Sequence, residues 1–322
     1  MSLDAYCRGR KMIGLRDVYA KTLIALAERD PDIVVLDADL SGSTRTAKFA
    51  EVFRERFFNM GISEQDLIGT AAGLALAGKK PFVSTFAIFE TGRAWEQVRQ
   101  SVCLNHVPVK LVASHGGVTV GEDGPTHHCT EDFALMRVLP GMTVVAPMDA
   151  EEMGEVIQKS LSLDGPLYVR GSREKFPIIE RKRTEFEFGK GNVLRDGDDI
   201  AIVACGLMVD FSYQAAAMLC ESGVEARVIG MSTIKPIDEA LLISAAEETG
   251  LVLTVEEHSV IGGLGSAVCE VLSEKAPVPV MRLGVDDRFT ASATPCELLE
   301  LCGLTPKSIA KSALDLHKKH GQ

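Results

Sequence analysis

Positive charge is scarce in this 322-residue chain: 34 Lys and Arg stand against 45 Asp and Glu, a formal net charge of −11. Nucleic acid and anionic membrane surfaces demand a basic face, so general affinity for either is excluded, and any anion bound must be met by cations gathered locally. No Cys-x-x-Cys pair occurs among the eight cysteines, and several sit in apolar runs such as "IAIVACGLMV". That spacing suits neither a zinc site nor a disulfide scaffold and points to reduced, mostly buried thiols. Missing too is any apolar run of the roughly 18 residues that a membrane span requires. The opening residues, "MSLDAYCRGRKMIG", lack the apolar centre of a signal peptide, so a cytoplasmic protein is expected. A Walker-type phosphate loop is absent. The run "GGLGSA" at 262–267 lacks the third glycine of a dinucleotide fingerprint and reads as a tight helix N-terminus.

What is present is an alternation. "RDVYAKTLIALAERD" has apolar positions at helical spacing, and "DIVVLDAD" is a β-branched run ending in acids. Buried strands are expected at "PFVSTF", "VKLVAS" and "TVVAP", and helices at "EQDLIGTAAGLALAG", "AWEQVRQSVCLN" and "DAEEMGEVIQKSLSL". Strands and helices in this order predict a parallel sheet covered on both faces. The rhythm breaks in the charged stretch "GSREKFPIIERKRTEFEFGKGNVLRDGDD" and restarts with "DIAIVACG", "EARVIGMST", "GLVLTVEE" and "VPVMRLGV". The fold class expected is therefore α/β: two parallel or mixed-sheet α/β domains, residues 1–172 and 198–322, joined by a linker over 173–197.

Ligands of open parallel sheets bind beyond the C-terminal ends of the strands. Asp37, Asp39, Phe86 and His115, each just after an apolar run, are accordingly the informative positions. The stretch "SHGGVTVGEDGPTHHC" at 114–129 begins at such an end; its glycines permit positive φ and its His and Asp supply donors and acid–base groups, so a flexible ligand-binding loop is expected. A metal site there is disfavoured, because adjacent His127 and His128 point apart and no His-x-x-x-His spacing supports them. Glu64, at the start of an apolar helix, has by itself the ordinary reading of a dipole-stabilising acid with Ser63 as a cap. Phe86 and Phe89 have the ordinary reading of a core pair.

Taken together and in order, "NMGISEQDLIGTAAGLALAG", "STFAIFETGRA" and "SHGGVTVGEDGPTHH" resemble the pyrimidine-binding domain of transketolases, which are thiamine-diphosphate enzymes. "DGDDIAIVACGLMV" and "EEHSVIGGLGSAV" are similar to that family's C-terminal domain, so the resemblance spans nearly the whole chain. It implies that Glu64 is the acid that hydrogen-bonds the cofactor's aminopyrimidine N1′, that Phe86 and Phe89 line that ring, and that Leu40, directly after Asp39, props the cofactor. Arg16, Ser43, His115 and Arg173 match the sugar-phosphate site, with Arg170 an alternative to Arg173. Asp123 and His127 match the groups that meet the substrate's hydroxyls; His128 has no role. Gly92 stands where some relatives place an aromatic.

The family's Gly-Asp-Gly motif and its downstream Asn, which hold Mg2+ or Ca2+ and the diphosphate, have no counterpart here; "RDGDD" lies in the wrong domain. The resemblance thus implies the C-terminal subunit of a split transketolase, with metal and diphosphate ligands supplied by an N-terminal partner subunit in a heterotetramer of two such pairs. The rivals are the β subunit of a 2-oxoacid dehydrogenase, a deoxyxylulose-phosphate synthase-like subunit and, from another class, a non-catalytic assembly partner.

Overall fold

The computed structural model describes residues 9–181 and 185–320. Its strands are β1 Met12–Gly14, β2 Ile33–Asp37, β3 Phe57–Asn59, β4 Lys80–Ser84, β5 Lys110–Ala113, β6 Thr143–Val145, β7 Leu167–Arg170, β8 Lys175–Pro177, β9 Asn192–Arg195, β10 Ile200–Ala204, β11 Ala226–Gly230, β12 Thr233–Lys235, β13 Val252–Ser259 and β14 Val280–Val285. The first sheet runs β12-β6-β7-β5-β4-β2-β3 and the second β14-β13-β10-β11-β9. Both are parallel except for one antiparallel edge strand each, β12 against β6 and β9 against β11. A mixed α/β architecture follows, as the alternation predicts.

Consecutive strand residues feed opposite faces, so a strand covered on both sides must be apolar throughout. In β2, Ile33 and Val35 join one apolar layer with Tyr19, Leu23 and Ile157, while Val34 and Leu36 join the other with Leu67 and Ile68. In β10, Ile200 and Ile202 continue the first layer, and Ala201 and Val203 the second. Each layer therefore runs unbroken through both sheets. No helix of the described residues is long and apolar enough to cross a membrane.

Three features depart from the sequence reading. The stretch 173–197 contains β8, which pairs with β1, and β9, which closes the second sheet; Lys182, Arg183 and Thr184 within it lie outside the described residues. β12 belongs to the C-terminal half yet completes the first sheet, an assignment that no local pattern announces. The helical run after Phe86 is wider than an α-helix, with i→i−5 bonds from Ala94 to Phe89 (3.3 Å), Leu104 to Arg99 (3.0 Å) and Val107 to Val102 (3.1 Å). Such π-turns recur at functional sites.

Candidate active site

The C-terminal ends of β2, β4, β5 and β7 deliver most of the expected residues to one edge of the first sheet. At the end of β2, buried Asp37 accepts hydrogen bonds from the Leu40 amide (2.6 Å), Thr44 Oγ1 (2.7 Å) and Thr46 Oγ1 (2.8 Å). Burial raises its pKa against those three bonds. The turn pinned in this way forces Asp39 to a φ of 63° and carries Leu40 and Ser43. Asp39 lies exposed at the rim, accepting from Asn59 Nδ2 at 2.9 Å.

At the end of β5, His115 is 4% exposed, with a φ of 61°. Its ring stacks on Phe86 at 3.8 Å, and Phe86 stacks in turn on Phe89 at 5.9 Å. His127 meets Phe89 edge-on at 5.5 Å. Burial, and then the charges of Arg16 and Arg173, push the His115 pKa down to about 3, so its imidazole is neutral at physiological pH. Nδ1 shares a hydrogen bond with Ser114 Oγ at 2.7 Å. His115 enters this site as a neutral hydrogen-bonding group, and the positive charge beside it belongs to the arginines.

Those arginines interlock. Arg16 donates to the Ser43 carbonyl at 2.6 Å and to the Arg173 carbonyl at 2.8 Å. Arg173 donates to the Val120 carbonyl and stands 3.8 Å from the Asp123 carboxylate. Arg16, Ser43, His115, Arg173 and Asp123 thus form one cluster. Arg170 is separated from it: enclosed by protein, it pairs with Asp132 at 3.0 Å and donates to the carbonyls of Cys129 and Glu257.

Glu64 is 3% exposed at the first turn of the helix Glu64–Leu76, and Ser63 does not cap that helix with its side chain. Its Oε2 is buried and has no hydrogen-bond partner among the described residues. The nearest cation is Arg93, at 3.6 Å, whose guanidinium also lies 5.6 Å from the centre of the Phe89 ring. Arg93 is a site residue that the sequence reading missed; its position four residues after Phe89 on a helical run was the available signal. Gly92 is exposed, and a side chain there would meet nothing within 4 Å, so the slot is open on that flank.

The flexible loop expected at 114–129 is in fact fixed at its base. Residues 114–121 are all buried, and only the tip, with Asp123 exposed and His127 half-buried, reaches outward. His128 is structural: its two ring nitrogens bond Thr290 Oγ1 (2.5 Å) and the Gly121 carbonyl (2.8 Å), while His127 bonds Thr126 Oγ1 (2.9 Å). At 262–267, Glu256 accepts from the amides of Leu264 (2.7 Å) and Gly265 (2.8 Å), so an internal carboxylate fills the helix N-terminus.

Residues 11–178 match the transketolase pyrimidine-binding domain, and residues 189–309 match the transketolase C-terminal domain. The chain belongs to the transketolase family. It is 46% identical to a transketolase C-terminal section of Methanocaldococcus jannaschii, the match covering 95% of this chain and 97% of the relative. It is also 42% identical to the 1-deoxy-D-xylulose-5-phosphate synthase of Gloeobacter violaceus, over 92% of this chain but only 47% of that enzyme. Among solved structures, a split-gene transketolase described as an inactive β4 tetramer superposes with a TM-score of 0.88 at 48% identity, covering 95% of this chain and 99% of that one.

Membership of the transketolase family implies thiamine diphosphate dependence, and this chain's residues fit the cofactor's aminopyrimidine. A planar heteroaromatic needs an apolar wall and a buried acceptor for a ring nitrogen; Phe89 is half-buried, Gly92 is exposed beside it, and Glu64 Oε2 is a buried oxygen without a hydrogen-bond partner among the described residues.

Proposed function

We propose that this chain is the C-terminal subunit of a thiamine-diphosphate-dependent transketolase. It moves a two-carbon ketol unit from a ketose phosphate to an aldose phosphate, as in the non-oxidative pentose phosphate exchanges, and acts with an N-terminal subunit that holds the diphosphate and its Mg2+ or Ca2+. The assembly is a heterotetramer of two pairs. The observation that carries this reading is the buried Glu64 Oε2, which has no hydrogen-bond partner among the described residues and is linked through Arg93, Phe89 and Phe86 to the His115 ring.

Glu64, Phe86, Phe89 and Leu40, with Asp39 at the rim, would hold the aminopyrimidine. When bound, the cofactor supplies the electron sink that carbon–carbon bond cleavage requires. Glu64 would meet the ring nitrogen through a hydrogen bond at Oε2 and serve there as the proton-transfer group. Arg16 and Arg173 bind the substrate's phosphate by charge-assisted hydrogen bonds, and neutral His115 adds one without adding charge. Ser43 contributes from the β2 turn. Asp123 and His127, at the loop tip, orient the sugar hydroxyls.

The test is ketol transfer from xylulose 5-phosphate to ribose 5-phosphate by the chain mixed with its N-terminal partner, thiamine diphosphate and magnesium. Glu64→Ala is expected to lower kcat by about 10²–10⁴-fold, the usual worth of a positioned proton-transfer group. Unchanged activity would remove Glu64 from that role. The identity to a deoxyxylulose-phosphate synthase supports a second reading, in which pyruvate is the donor. Turnover of pyruvate with glyceraldehyde 3-phosphate, and none of xylulose 5-phosphate, would favour it.

A further inference from the structure

We infer that Glu257 and Arg170, neither of which touches the proposed substrate, are positioning residues that set the backbone of the 114–129 loop, so that the C-terminal half of the chain builds part of the active site. The inference rests on the reading of that loop as substrate-binding. Glu257 lies in β13, two residues before its C-terminal end, and accepts the Thr119 N–H at 2.5 Å, a contact between residues 138 positions apart. Arg170, at the end of β7, donates to the Cys129 carbonyl at 2.7 Å and to the Glu257 carbonyl at 2.9 Å. One residue thus grips the outgoing limb of the loop and the other its returning limb, and Arg170 ties the two grips together. The limbs are joined directly by the Gly117 amide on the Cys129 carbonyl at 2.8 Å.

The glycines are shaped to this clamp. A Cβ at Gly116 would come within 2.2–2.9 Å of Arg170 side-chain atoms, and one at Gly117 within 2.3–2.8 Å of Glu257. Arg170 is itself held in place, by Asp132 at 3.0 Å and by the face of Phe133 at 4.3 Å, and Tyr168 donates to Asp132 at 2.6 Å. A buried ion pair of this kind adds little net stability, since its Coulomb gain is offset by desolvation, whereas it fixes geometry strictly. Between the two grips lies the tip that carries Asp123 and His127, where Arg173 stands 3.8 Å from Asp123 and Ser292 Oγ donates to the Glu122 carbonyl.

Two variants separate reach from charge. Glu257→Asp keeps the charge facing Arg170 but withdraws the oxygen from Thr119, whereas Glu257→Gln keeps an oxygen at the same reach and removes the charge. Amide exchange in the full chain alone, followed by mass spectrometry, is expected to speed up about tenfold over 116–124 in Glu257→Asp and to stay within about threefold of the parent in Glu257→Gln, with peptides from 200–250 unchanged in both. In the reconstituted enzyme, Glu257→Asp should raise KM for xylulose 5-phosphate about tenfold, with kcat held within about threefold. Unaltered exchange over 116–124 in Glu257→Asp overturns the clamp; so does loosening that extends equally to 200–250, or a fall in kcat at constant KM. Because exchange needs no turnover, loop loosening in an enzyme that fails to transfer ketol units would leave the clamp standing and remove only the proposed reaction.

Discussion

Glu64 and Glu90 are both buried acids, yet their surroundings set them apart. Glu64 Oε2 lies 3.6 Å from the cation Arg93, beyond hydrogen-bond distance, and has no hydrogen-bond donor among the described residues. Glu90 is fully buried, neither of its oxygens has a hydrogen-bond partner among the described residues, and burial together with nearby Asp37 holds its pKa well above the usual carboxylate range. A carboxyl whose folded pKa lies above its unfolded value binds its proton more tightly in the folded protein, so Glu90 costs stability as pH rises above about 4.5. Glu90→Leu should raise stability at pH 8 by about 1–3 kcal/mol, the cost of an unpaired buried polar group. Its gain in Tm should shrink as pH falls toward about 4.5, where the unfolded carboxyl also takes its proton; equal Tm for variant and parent at pH 8 would contradict this. His115 behaves in the opposite sense. Its folded pKa of about 3 lies below the unfolded value, so its contribution to stability is complete above about pH 6.5 and is lost as the pH falls from there toward 3.

At the scale of elements, the strands with long β-branched runs were legible: "DIVVLDAD", "DIAIVACG" and "GLVLTVEE" match β2, β10 and β13 because a strand buried on both faces has to be apolar throughout. Three-residue β12 was not, since "TIK" carries no period and its pairing with β6 is decided by tertiary packing. The π-turns after Phe89 have no composition signal either. In the candidate site, the motifs marked Glu64, His115 and Asp123, but burial of 114–121 and the grip of Glu257 depend on a contact across 138 positions that local reading does not reach. The loop's rigidity yields a prediction of its own. Gly117 has a φ of +83° and no room for a Cβ beside Glu257, so Gly117→Ala combines left-handed strain with overpacking. A loss of about 2–4 kcal/mol in chemical denaturation is expected, and a loss below 0.5 kcal/mol would show the loop to be compliant.

For the molecule as a whole, two continuous apolar layers and β12 fuse the halves that the family models treat as separate domains. Glu152 is one of the polar seams between them: fully buried, it accepts from Ser232 Oγ at 2.6 Å and from the Met148 amide at 2.7 Å. Burial lifts its pKa to about 7, above its unfolded value, so this residue costs stability progressively as pH rises from about 4.5 to 7. Glu152→Gln, which keeps an acceptor, should flatten that part of the stability–pH curve by of order 2–3 kcal/mol, read from urea midpoints across the range; a parallel curve for the variant would refute the assignment.

The proposal turns above all on the division of the active site between two chains. Its most direct test is the rate of xylulose 5-phosphate consumption with ribose 5-phosphate, thiamine diphosphate and magnesium, measured as purified N-terminal partner is titrated into this chain. Activity should be absent from either protein alone and should rise to a plateau at one partner per chain. Ketol transfer by this chain without the partner, at a rate the partner does not increase, would contradict the account.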